Sequence, residues 1–97
     1  MTVSVSTHVL DTAAGRPAAR VRVELAAGQD VVASGSTDED GRIPALAEGI
    51  EPGRYSLVFW PPSPFFTRVE LEIELVDGHY HVPLLVSPYG IASYRGS

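Results

Sequence analysis

Apolar and polar residues alternate one for one along most of this chain. In residues 2–10, Val3, Val5, Thr7 and Val9 fall on one side, with Ser4, Ser6 and His8 on the other. In residues 20–25, Val21, Val23 and Leu25 alternate with Arg20, Arg22 and Glu24. Tyr55, Leu57 and Phe59 share a face in residues 54–59, and Val69, Leu71, Ile73 and Leu75 interleave with Arg68, Glu70, Glu72 and Glu74. A period of two is that of an extended strand with one buried and one wet face. Residues 31–36, 80–86 and 91–95 add shorter extended runs. Turn signals separate them: Ala14-Gly15-Arg16-Pro17, Ala27-Gly28-Gln29-Asp30, Asp38-Glu39-Asp40-Gly41, Pro52-Gly53, Asp77-Gly78 and Ser87-Pro88-Tyr89-Gly90. Seven to eight short strands at close spacing predict an all-β sandwich or barrel. No long helix is expected, and Pro61-Pro62-Ser63-Pro64 forbids one after Trp60.

Composition narrows the setting. With 97 residues the chain predicts one domain spanning 1–97, and its 44% apolar content suffices for a core. The net charge is −5, from twelve acidic residues against seven arginines and no lysine. The arginines are scattered, so no nucleic-acid partner is expected. Disulfide and thiolate chemistry are excluded by the absence of cysteine. No apolar stretch is long enough for a membrane helix, and the first ten residues lack the basic start and apolar run of a secretory signal. A cytoplasmic protein without a membrane partner is the expectation.

Few residues advertise chemistry on their own. His8 sits on the polar side of the first strand, where a histidine is more commonly a surface residue than a proton-transfer group. His79 and His81, two apart on a strand, project the same way. His-x-His is a weak metal motif, and no second shell accompanies it. Arg42 follows the Asp40-Gly41 turn, as a solvated arginine or as a planar fork for a polarised carbonyl. Glu70, Glu72 and Glu74 form a carboxylate row better suited to a solvated or edge-protecting surface than to acid–base work. There is no Gly-x-Ser-x-Gly elbow, no Cys/His pair and no phosphate-cradling glycine loop.

The order of three motifs supplies the rest. Ser6-Thr7-His8-Val9-Leu10-Asp11 near the start, His79-Tyr80-His81-Val82-Pro83-Leu84-Leu85-Val86-Ser87-Pro88-Tyr89-Gly90, and Tyr94-Arg95-Gly96-Ser97 resemble the signatures of the 5-hydroxyisourate hydrolases. These belong to the transthyretin-like proteins. The middle of the chain, from Gly15-Arg16-Pro17 to Pro52-Gly53-Arg54-Tyr55, is similar to prealbumin-like and carboxypeptidase-regulatory sandwiches and carries no chemistry of its own. The resemblance covers almost the whole chain. It implies a two-sheet transthyretin-like β-sandwich. The short helix usual in that family is expected to be missing here, replaced by Pro61-Pro62-Ser63-Pro64-Phe65-Phe66.

The resemblance also implies a reaction, the opening of the 5-hydroxyisourate ring to 2-oxo-4-hydroxy-4-carboxy-5-ureidoimidazoline in urate catabolism. It implies His8, Arg42, His81 and Ser97 as catalytic residues, and Tyr94, Arg95 and Gly96 as substrate-binding ones. It implies no metal and no organic cofactor, leaves His79 peripheral, and suggests a homotetramer. Two readings compete. A carrier of the transthyretin kind would bind an aromatic ligand without turnover, and a structural sandwich module would do neither. A third variation is a hydrolase whose shortened loop has moved it to a related cyclic ureide.

Overall fold

The alternation drives two sheets together in the computed structural model, which describes residues 2–96. The nine strands are β1 (Val3–Asp11), β2 (Arg16–Pro17), β3 (Arg22–Ala27), β4 (Asp30–Ser36), β5 (Arg42–Ile50), β6 (Gly53–Trp60), β7 (Val69–Leu75), β8 (Gly78–Ser87) and β9 (Gly90–Ser93). One sheet has the order β4-β3-β6-β7. In the other, β8 runs parallel along one side of β1, with β9 beyond it. The opposite side of β1 is shared by β5 and the two-residue β2. No helix occurs among the described residues, so the all-β expectation holds and the segment after Trp60 is a helix-free turn.

The predicted apolar faces meet between the sheets. Val3, Val5 and Val9 of β1 and Val82, Leu84 and Val86 of β8 pack with Val23, Leu25, Leu57, Phe59 and Leu75 from the facing sheet. Each such fully buried side chain contributes about 1.5–3 kcal/mol by leaving water. Polar groups inside are paired. The Thr7 hydroxyl donates to the Val82 carbonyl at 2.7 Å, and Thr37 donates to the Ala18 carbonyl while accepting from the Val21 amide. No buried polar side-chain atom among the described residues lacks a partner. Glu70, Glu72 and Glu74 lie on the exposed face of β7, an edge strand, where their charge discourages stray pairing.

Two strands escaped the sequence reading: the two-residue β2, which lies in the segment read as a turn, and β5. β5 shows no clean alternation, with Leu46 and Ala47 buried in succession and Pro44 and Ala45 exposed. Its register explains why. β1 advances from Val3 to Val5 to Thr7 while β5 moves from Ile50 to Ala47 to Ile43, so bulges insert extra residues in β5. A bulge breaks the period of two without ending the pairing.

Candidate active site

β1 and β8 set the site by their register. Residues directly opposite in a ladder share a face. Ser4 stands opposite His79, Ser6 opposite His81 and His8 opposite Pro83. On the other flank of β1, His8 stands opposite Arg42 of β5. The side of β1 away from the core therefore gathers His8, Arg42, His79 and His81 on adjacent strands. Three imidazoles and a guanidinium come together from chain positions as distant as 8 and 81.

Arg42 is placed by the turn before it. The Asp38 side chain accepts from the amides of Asp40 and Arg42, at 2.9 and 3.0 Å. Gly41 adopts a left-handed φ of 74°, and its carbonyl accepts from the Val9 amide at 2.7 Å. The turn is thereby tied to β1, and the Asp40 carbonyl reaches His8 Nε2 at 2.9 Å. A carbonyl only accepts, so His8 Nε2 carries the proton and donates. In the neutral ring Nδ1 is then the nitrogen with a free lone pair.

His81 is held differently. Its Nδ1 lies 2.8 Å from the Ser6 hydroxyl, which leaves Nε2 for the open face. The same hydroxyl reaches His79 Nε2 at 2.9 Å, and His79 Nδ1 meets the Ser4 hydroxyl at 2.6 Å. Burial pushes the His81 imidazole below its ordinary value of 6.5, and Arg42, His8 and His79 push it further the same way. A neutral imidazole beside a fixed cation can accept a proton from water, while the guanidinium can take up charge on a carbonyl oxygen.

The C-terminal segment divides. The Gly96 amide donates to the His81 carbonyl at 2.7 Å, and a Cβ on Gly96 would stand 2.7 Å from His81 Cδ2. The glycine backbone thus lies against the imidazole. Arg95 turns the other way, with its guanidinium 4.2 Å from the centre of the Tyr80 ring. Tyr94 and Arg95 line an open groove of about 370 Å3 between β7 and β8, which also includes Tyr80 and Val82 and is not lined by the histidines. Within one chain the structure therefore brings His8, Arg42, His81 and Gly96 together, while the side chains of Tyr94 and Arg95 face elsewhere. Ser97 lies outside the described residues.

Sequence reasoning missed Ser4 and Ser6 as partners, and it left His79 at the periphery. The structure places His79 within a continuous chain of side-chain contacts that ends at His81. The available signal was the shared parity of Ser4, Ser6 and His8. The parallel pairing of β1 with β8, seventy-odd residues away, was not visible. Among the described residues, no group of three or more His, Cys, Asp or Glu side chains is placed to hold a metal ion.

Comparison with known proteins gives consistent matches. The model of the HIUase/Transthyretin family matches residues 5–96. A 5-hydroxyisourate hydrolase of Pseudomonas aeruginosa is 40% identical over 114 aligned positions, covering 96% of this chain and 90% of that protein. That alignment is longer than this chain, as expected if the relative carries extra residues within the matched span. The solved structure of Klebsiella pneumoniae 5-hydroxyisourate hydrolase superposes with a TM-score of 0.90 at 33% identity, covering 97% of this chain and 99% of that one. Sea bream transthyretin in complex with thyroxine superposes at 0.83 with 24% identity, covering 95% and 93%, a likeness of fold alone.

Proposed function

This chain belongs to the HIUase/Transthyretin family, and from that premise we propose that it is a hydrolase opening the ring of 5-hydroxyisourate, with 2-oxo-4-hydroxy-4-carboxy-5-ureidoimidazoline as the product. The observation that carries the reading is the convergence of His8, Arg42 and His81 on one face of β5, β1 and β8. A carrier has no need of two imidazoles gathered beside a guanidinium.

The chemistry follows from the ring. An acyl carbon bonded to nitrogen needs a water deprotonated as it attacks, charge taken up at the carbonyl oxygen, and a proton for the departing nitrogen. His81 Nε2 and His8 Nδ1 are the free basic nitrogens, because Ser6 and the Asp40 carbonyl occupy the other two. Arg42 stabilises the developing oxyanion or clamps the planar ring through its fork. Gly96 lets the tail backbone pack directly on the His81 ring beside the bound substrate, since a Cβ there would collide with the imidazole. Ser97 orients substrate or water, Arg95 anchors the tail on Tyr80, and the side chains of Tyr94 and Arg95 bind substrate across a contact between subunits. No cofactor is required for this hydrolysis. We place the protein in the cytoplasm as a homotetramer.

The test follows loss of 5-hydroxyisourate absorbance, with the compound generated in place by urate oxidase. Wild-type protein should accelerate the decay. His8→Ala and His81→Ala should each lower kcat/KM by roughly 10²–10⁴-fold, the range for a placed acid–base group. Their circular dichroism should remain that of a folded sandwich. Saturable ligand binding without accelerated decay would instead establish a carrier, the reading favoured by the fold of transthyretin.

A further inference from the structure

We propose that Ser4, His79, Ser6 and His81 form a reversible proton wire that keeps His81 neutral through the catalytic cycle, an inference that rests on the ring-opening reading above. The contacts are continuous: Ser4 Oγ to His79 Nδ1 at 2.6 Å, His79 Nε2 to Ser6 Oγ at 2.9 Å, and Ser6 Oγ to His81 Nδ1 at 2.8 Å. They run from β1 to β8 and back, on one face of a parallel ladder. His79 is exposed, so the far end of the wire reaches water, while Ser6 is buried at 7% exposure.

Proton counting limits what the wire can do. A serine hydroxyl has one proton to donate, and a neutral imidazole has one N–H and one lone pair. Ser6 therefore cannot donate to both rings. If it donates to His81 Nδ1, it accepts from His79 Nε2–H, and His79 Nδ1 accepts from Ser4. His81 Nε2 then carries a proton and is an acid. If every bond reverses, His81 Nδ1–H donates to Ser6, Ser6 to His79 Nε2, and His79 Nδ1–H to Ser4. His81 Nε2 then bears a lone pair and is a base. Both rings hold the same tautomer in each state, and the two states differ only in direction.

The cycle balances on that reversal. Water gives hydroxide to the acyl carbon and a proton to His81 Nε2. The Nδ1 proton moves to Ser6, the Ser6 proton to His79 Nε2, the His79 Nδ1 proton to Ser4, and the Ser4 proton to solvent. The carbon–nitrogen bond then breaks, its electron pair stays on nitrogen, and His81 Nε2–H protonates that nitrogen. One proton returns from solvent along the wire to His81 Nδ1. No net proton is lost and no imidazolium forms. Burial and then Arg42 make an imidazolium costly at this position, so a wire that avoids one has a purpose.

Imidazole nitrogen shifts in 15N-histidine-labelled whole protein read the tautomers without any substrate. His79 and His81 should show the same tautomer, and Ser6→Ala should uncouple them. His79 protonated at Nε2 together with His81 protonated at Nδ1 would mean that both rings donate to Ser6, which breaks the wire and overturns the proposal. Kinetics supply the second readout. His79→Gln keeps a donor and an acceptor but cannot take a proton at one end and release one at the other. It should lower kcat roughly 10- to 100-fold, the scale at which a partner behind a reacting imidazole acts, with KM nearly unchanged. An unchanged kcat in His79→Gln overturns the wire. If wild-type protein fails to open the ring, it is the functional reading that falls, and the tautomer result shows separately whether the rings are coupled.

Discussion

At His81, burial and charge push in the same direction. Loss of water is the larger cause of its lowered proton affinity, and the neighbouring Arg42 comes next, ahead of His8 and His79. Two consequences follow. The unfolded chain holds a proton on this ring more tightly than the folded one. Stability from His81 is therefore present above about pH 6.5 and is lost as pH falls through the lower folded value. Activity that depends on neutral His81 should share that direction, with the acid limb of kcat/KM below the ordinary histidine value. Arg42→Gln removes only the second cause. In a proton NMR titration of the His81 ring, it should raise the midpoint but leave it short of 6.5, because burial persists. A midpoint that stays put or falls would show that Arg42 does not act on His81. The same substitution should cost roughly 10²–10³-fold in kcat, as loss of an oxyanion partner does.

The turn between β4 and β5 is the element on which the site depends most. Gly41 holds a φ of 74°, and a Cβ there would stand 2.5 Å from the Val9 carbonyl oxygen and 2.8 Å from Pro17 Cβ. Backbone lies on one side of that space and a proline ring on the other, so neither yields cheaply. Gly41→Ala should destabilise the fold by about 1–3 kcal/mol from strain alone, and more from the clash. It should also weaken the His8 contact with the Asp40 carbonyl, which the turn presents. Chemical denaturation should show the loss, and an unchanged midpoint would mean that the turn is freer than its contacts suggest. This turn was legible as Asp38-Glu39-Asp40-Gly41, and β1, β3, β6 and β7 were legible because one wet face enforces alternation. β5 was not, since its bulges spoil the period. The Ser6–His79–His81 contacts were not either, because alternation gives the face of a residue but not its neighbour across a ladder. Pro83 marks a similar limit. The Ser93 hydroxyl donates to its carbonyl, so the nitrogen without a proton also faces β9. The ladder stops at Ser93, and the tail rejoins only where the Gly96 amide meets His81.

Across the whole molecule, surface left open argues for assembly. A chain of 97 residues buries only part of what its unfolded form exposes, so added contact area has a large relative effect. Among the described residues, no strand pairs with the outer edge of β7. Beside it runs the groove lined by Leu71, Ile73, Tyr80 and Tyr94, and Tyr94 is 56% exposed. Exposed aromatic surface next to an open strand edge is the kind of surface a second copy covers. The proposed homotetramer predicts a sedimentation mass about four times the 10.4 kDa of one chain. It also predicts solution scattering with a radius of gyration well above the 12.7 Å of a single chain. Because an assembled state binds its own subunits, the melting temperature should rise with protein concentration. Specific activity should fall on dilution if Tyr94 and Arg95 serve a neighbouring subunit's histidine face rather than their own. A monomer that melts at one temperature at every concentration, with constant specific activity, would remove the tetramer and leave the tail side chains to the groove in which they lie.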